Sequence, residues 1–184
     1  ERCELLNVED FNILFEEDFE AYSNFDQISG DWTNYIEEGT RDWIARTTTD
    51  TGNPGSRIAQ ISAYNSGDVS TVSWLITPGI DLDAQEFEFF DFESSNSFSD
   101  NSDLDLLIST DWDGTEADVL LASWTALPGI IVSDSTSFEM WIDSSDVDLS
   151  AYAGTAYVAF RYTGGGTNHT GTCYPCLRDP SKFN

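Results

Sequence analysis

The chain is a succession of short runs in which apolar and polar residues alternate, separated by clusters of turn-forming residues. Leu104, Leu106 and Ile108 fall on one side of an extended backbone, while Asp103 and Asp105 fall on the other. That period of two marks a strand with one face buried. The same enrichment in aromatic and β-branched residues predicts strands over Ile13–Glu20, Asp42–Thr48, Arg57–Ser62, Thr71–Thr77, Glu86–Glu93, Leu104–Thr110, Leu120–Thr125, Ser137–Ile142 and Ala156–Tyr162. Turns are expected at Asn53-Pro54-Gly55, Asn65-Ser66-Gly67-Asp68, Pro78-Gly79, Asp113-Gly114, Pro128-Gly129 and Gly164-Gly165-Gly166. Within Glu86–Glu93 the alternation slips: Phe87 and Phe89 share one face and Phe90 and Phe92 the other, which predicts a bulge near Phe89–Phe90. The polar stretch Ser94–Ser102 reads as a long loop. Helical periodicity is nowhere sustained, so the expectation is a single all-β domain, an antiparallel sandwich. Residues 1–12 read as a leader or linker, 13–177 as the sandwich and 178–184 as a tail.

Composition adds a core and a charge. Hydrophobic residues are 40% of the chain, including six Trp, seven Tyr and twelve Phe, which is enough apolar surface to exclude intrinsic disorder. Thirty-four acidic residues face seven basic ones, a net of −27, against a magnitude of about 2 to 8 for a small soluble domain. Salt relieves such self-repulsion, because the Debye length falls from about 10 Å at 0.1 M to about 3 Å at 1 M. A secreted or cell-surface setting rich in salt or calcium follows, although acidity kept for solubility accounts for the charge equally well. No basic patch is present, which makes nucleic acid and anionic membrane surfaces poor partners. No apolar run approaches the roughly 20 residues that span a bilayer. The start at Glu1 rather than Met reads as a mature or excised piece.

The chemistry-bearing residues point to binding. Paired carboxylates arise by chance among so many acids, and Ser-His-Asp catalysis would need His169, which follows a glycine run. No catalytic residue is therefore assigned. Trp74, Trp124 and Trp141 lie in strand patterns and belong to the core. Trp32 and Trp43 sit at strand entries, and Trp112 stands at a hairpin tip between Asp111 and Asp113. These three are candidate platforms for a sugar ring, with the two aspartates accepting its hydroxyls, or anchors for a protein partner. Calcium needs six to eight oxygens at about 2.3–2.6 Å. The candidate ligands are Glu17, Glu20 and Asp42, with Asp111–Thr115 as a second candidate loop. Asp111 and Asp113 read equally as turn-capping residues before Gly114. Three cysteines, Cys3, Cys173 and Cys176, leave one thiol unpaired or joined to another chain. Cys173 and Cys176 lack the second pair a zinc site would need, so a disulfide tying Cys3 to one of them, or self-association, is the expectation.

An ordered set of short motifs carries a resemblance. Glu17–Glu20, Asp31-Trp32-Thr33, Asp42-Trp43, Ser73–Pro78, Ile108–Asp111, Asp113-Gly114, Val147–Gly154 and Val158–Tyr162 resemble the choice-of-anchor J and cleaved-adhesin domains, MAM-like jelly rolls of secreted Bacteroidetes proteins. The resemblance spans about residues 13 to 172. It implies a jelly-roll β-sandwich, binding or adhesion to an extracellular glycan or surface protein, structural calcium and no catalysis. The chain departs from that family at its end, where Gly171–Pro180 stands in place of paired aspartates, and Pro175 argues against a central closing strand. The leading expectation is a non-catalytic, calcium-stabilised glycan- or cell-surface-binding module. The alternative is an assembly module making protein–protein contacts within a larger secreted protein.

Overall fold

Leu104, Leu106 and Ile108 turn inward as their spacing predicts, and Asp103 and Asp105 stay in solvent. The computed structural model of the protein describes residues 13–47, 55–84, 88–96, 102–132, 140–165 and 176–178, the last three by backbone only. In chain order the strands are β1 (Thr33–Glu38), β2 (Ile44–Thr47), β3 (Arg57–Gln60), β4 (Thr71–Ile76), β5 (Ile80–Asp81), β6 (Phe89–Phe90) and β7 (Glu93–Ser95). They continue with β8 (Asp103–Ser109), β9 (Thr125–Ala126), β10 (Ile142–Asp143), β11 (Val147–Asp148), β12 (Thr155–Gly164) and β13 (Cys176–Arg178). One sheet runs β1-β4-β12-β8-β9, with β5 added onto β12. The second runs β10-β7-β13-β3-β2, and β11 pairs with β6. Every pairing is antiparallel, and the architecture is the expected jelly-roll β-sandwich.

The two sheets enclose one core. Leu75, Phe160 and Leu106 form a row across β4, β12 and β8, facing Ala45, Ala59 and Ile61 of the other sheet. Phe92 packs edge-on against Phe160 with centroids 4.9 Å apart, and Phe90 completes the cluster. Each such large side chain contributes about 1.5–3 kcal/mol on burial. A second, smaller core lies on the opposite face of the first sheet. There Trp74, Ile76 and Ala159 are roofed by Trp112 and Val119, which is why all six residues of β4 are buried.

Several expectations are corrected. Ile13–Glu20 forms no strand: Glu17 and Asp18 accept the amides of Phe19 (2.6 Å) and Glu20 (2.9 Å). Side chains bonding the backbone two residues on compete with a ladder. Leu120–Thr125 is mostly a turn following a single 3-10 turn, Glu116–Asp118, and only Thr125–Ala126 pairs, with β8. The slip near Phe89–Phe90 is not a bulge but a change of partner. β6 pairs with β11, and β7 joins the second sheet between β10 and β13. Ser94 and Ser95, expected in a loop, are buried strand residues, and Ser94 Oγ accepts the Val132 amide at 3.0 Å. β1 was not anticipated, because Thr33–Glu38 is an edge strand without apolar alternation. The tail also corrects the reading of Pro175: β13 starts at Cys176 and lies between β7 and β3, a central position. Its pairing reaches Arg178, which sits opposite Glu93.

Candidate functional site

The outer face of β2 and β3 collects what the inner faces cannot use. Along β2 the alternation sends Trp43 and Ala45 into the core, leaving Ile44 and Arg46 on the outer side. Ile44 stands opposite Gln60, and Arg46 opposite Ile58. Residues 25–28 extend along the free edge of β2. The Phe25 amide donates to the Ala45 carbonyl (2.7 Å), the Ala45 amide to Asp26 (2.7 Å) and the Ile28 amide to Trp43 (3.1 Å). That docking sets the Arg46 guanidinium carbon 4.1 Å from the centroid of the Phe25 ring.

The turn before β2 supplies the opposite wall. Gly39 has φ +84°, a left-handed conformation that suits glycine. Thr40 donates its amide (2.9 Å) and hydroxyl (3.0 Å) to Asp68, fastening this turn to the loop after β3. Arg41 then donates through Nη2 to the Tyr64 carbonyl at 3.1 Å. Desolvation pushes the Asp68 carboxyl up, but the hydrogen bonds from Thr40 and Ser66 and the nearby Arg41 charge outweigh it and hold it below the ordinary carboxylate value. Asn34 secures the segment from behind, its side chain bonding both the amide (3.1 Å) and the carbonyl (2.7 Å) of Trp43.

Between these walls lies an open hollow of about 250 Å³, lined by Arg41, Asp42, Ile44, Arg46, Gln60, Ser62 and Tyr64. Its aromatic margins are bare, with Tyr64 46% and Phe25 61% exposed. Its cations are unusual for this chain. Among the described residues, the Nε groups of Arg41 and Arg46 are shielded from solvent and meet no acceptor, and neither guanidinium forms an ion pair. A buried donor without an acceptor costs about 1–3 kcal/mol, so two in one hollow call for a reason. Arg57 is spent differently, on the Tyr22 carbonyl (2.9 Å) and on Thr47.

Of the candidate site residues, the structure brings only Asp42, expected as a calcium ligand, to this hollow and places the others elsewhere. The three tryptophan platforms are corrected, because each indole is buried and offers no face to a sugar. Trp32 packs on Phe15 and Phe19, and Trp43 is fully inside the core. Trp112 is 5% exposed and lies edge-on to Tyr157, with centroids 4.6 Å apart. The loop tip stays exposed, but the indole turns inward and donates its N–H to the Thr115 carbonyl (2.9 Å), while Asp113 tightens the turn by accepting the amide (2.8 Å) and hydroxyl (2.7 Å) of Thr115. Asp111 accepts Ser109 Oγ and the Ser123 amide, each at 2.8 Å. Both aspartates do turn chemistry, and these bonds hold both carboxyls below their ordinary value.

The calcium ligands do not gather. Glu17 bonds the Phe19 amide and the Trp32 indole N–H (3.1 Å), and Glu20 bonds the Arg57 amide at 2.9 Å. Among the described residues no three Asp, Glu, His or Cys side chains are grouped to hold a metal ion. The donors Glu17, Glu20 and Asp42 therefore do not fit a shared calcium cage. Cys3, Cys173 and His169 lie outside the described residues. Also among those residues, no helix is long and apolar enough to cross a membrane.

Arg41, Arg46, Tyr64 and Phe25 were missed. The available signal was scarcity: three of only seven basic residues, Arg41, Arg46 and Arg57, fall in or beside two neighbouring strands. No protein-family model and no curated protein matches the chain. Its fold is similar to crystal structures of two cleaved adhesin domains of Lys-gingipain from Porphyromonas gingivalis. The K3 domain superposes with a TM-score of 0.57 at 17% identity, over 90% of this chain and 95% of that one. The K1 domain does so with a TM-score of 0.54 at 18% identity, over 89% and 94%. Both likenesses are of fold.

Proposed function

We propose that this chain is a non-catalytic extracellular binding module that takes a glycan in the hollow between the Gly39–Asp42 turn, β2 and β3. The observation that carries the reading is the pair of arginines that meet no acid among the described residues, each with an Nε lacking an acceptor, set beside the exposed Tyr64 and Phe25 in a concave surface. At about 250 Å³ the hollow is smaller than the roughly 300–1,000 Å³ of drug-sized sites. It suits one ring of a polymer approached from the side. The two domains that share the fold are described as adhesins, which agrees with a binding role. The test is affinity electrophoresis against a polysaccharide panel, with Arg46→Gln and Tyr64→Ala beside the unaltered protein. At least one polymer should retard the protein, and each variant should weaken that binding about tenfold or more, some 1.4 kcal/mol. Absence of retardation by any polymer, or variants that bind like the parent, would refute the reading.

One observation favours the assembly alternative. Leu120 and Leu121, adjacent on the turn that roofs the first sheet, are 53% and 79% exposed. If they form an interface, the protein will elute as an oligomer on sizing and Leu121→Ser will return it to a monomer.

A further inference from the structure

Resting on that reading, we infer that the group recognised in the hollow is a carboxylate carried on a sugar ring, so that the ligand is an acidic, uronate-bearing polysaccharide clamped by Arg41 and Arg46. The chain holds 34 acids against seven basic residues, so an arginine here finds a carboxylate easily. Arg161 has two, Glu37 at 3.4 Å and Asp105 at 3.6 Å. Arg41 and Arg46 have none within ion-pair distance among the described residues, although Asp42 lines the same hollow. The guanidinium is a planar fork whose N–H groups match a carboxylate two at a time, and such charge-assisted bonds are about twice as strong as neutral ones. A carboxylate arriving from outside would give both guanidinium groups the acidic partner that the acids among the described residues do not supply.

The other lining groups favour a sugar over an acidic peptide. Tyr64, 46% exposed, is the ring available for stacking on a pyranose, while Phe25 is already taken on one side by Arg46. Asp42 would accept a ring hydroxyl, and Ser62 lines the same hollow as a further hydroxyl partner. One carboxylate among several hydroxyls on a pyranose ring is the chemistry of a uronic acid.

The experiment compares polygalacturonate, alginate and hyaluronan, each as prepared and after carboxyl reduction to the neutral sugar. Titrations run in 0.15 M salt, where a Debye length of about 8 Å screens the remaining negative surface from the polymer. The acid form of at least one polymer should bind about tenfold or more tighter than its reduced form. Arg41→Gln/Arg46→Gln should bring that ratio below about twofold, and the single Arg46→Gln variant serves if the double one melts early. Equal binding of acid and reduced forms, or a preference that survives in the variants, overturns the carboxylate clamp while leaving glycan binding intact. Poly-glutamate that competes as well as the uronate overturns the assignment to a sugar. A protein that binds no polymer in either form overturns the proposed function as well.

Discussion

Both sheets carry an arginine against an aromatic ring on their outer faces, and the two faces finish differently. On the first sheet, Tyr35, Trp74, Arg161 and Asp105 form one row across β1, β4, β12 and β8. Arg161 lies 5.3 Å from the Trp74 ring and pairs with Glu37 and Asp105, while Glu37 also accepts the Trp74 indole N–H at 2.8 Å. Trp112 and Val119 then close over the neighbouring apolar residues. On the second sheet, Arg46 stacks closer, 4.1 Å above Phe25, yet no acid meets it among the described residues. An arginine on an aromatic ring is thus no mark of a site by itself. The distinguishing feature is whether the remaining donors are already satisfied inside the chain.

That contrast can be broken, and the largest effect should come from the closed face. Trp112→Ala removes the roof and should cost about 3–5 kcal/mol. At roughly 2–4 °C per kcal/mol for a domain of this size, thermal denaturation should show a fall of order 10 °C. Glycan binding measured below the transition should survive; its loss in a folded variant would move the site to this face. Next is Gly39→Ala. A Cβ there would lie 2.8 Å from the Ser70 carbonyl oxygen and 2.9 Å from the Asp68 carboxylate, on a backbone already at φ +84°. A loss of about 1–3 kcal/mol is expected, with glycan affinity falling as the turn carrying Arg41 shifts. Unchanged affinity would detach Arg41 from the site.

Smaller effects sharpen the same comparison. Arg161→Gln leaves Glu37 and Asp105 without their cation, and chemical denaturation should register about 1–2 kcal/mol, because these groups are partly exposed and the pair is screened. Arg46→Gln should cost less, no more than about 1 kcal/mol, since its guanidinium has the contact with Phe25 but no ion pair to lose. The reverse order would mean that the open arginine is structural. Asp68 sets a pH dependence. Its folded carboxyl titrates below the ordinary value of 3.8, so its contribution is full above that value and is lost as pH falls through the depressed one. Glycan affinity should accordingly be flat with respect to this group from pH 8 to 5 and drop below about pH 4. A midpoint near neutrality would exclude Asp68 as the cause. The smallest expectation concerns calcium: with Glu17 and Glu20 committed to amides, chelator should shift the melting temperature by less than about 1 °C, against the roughly 2.7 kcal/mol a site filled to a hundred times its Kd contributes.

Much of the sandwich was legible before any coordinates. Strands with one face in the core, such as β8, announce themselves, because water on one side and packing on the other impose a period of two on the residues. β1 and β13 gave no such signal. An edge strand of Thr, Asn and Glu has little apolar pattern, and a three-residue strand is too short to show one. Trp112 misled for a related reason: a tryptophan between two aspartates at a turn looks exposed until its indole turns inward onto a sheet face distant in sequence. The hollow was only half legible, since Asp42 stood out while Arg41 and Arg46 did not.

The sequence by itself determined the class of fold and the excess of negative charge, because both follow from composition and local alternation. Which arginine is neutralised and which is left open was decided only in the tertiary structure. Arg161 owes its acid Asp105 to the pairing of β12 with β8, and Arg46 owes its ring to residues 25–28 lying along the edge of β2. Contacts of that kind depend on register between distant segments, and residue order along the chain does not encode them locally.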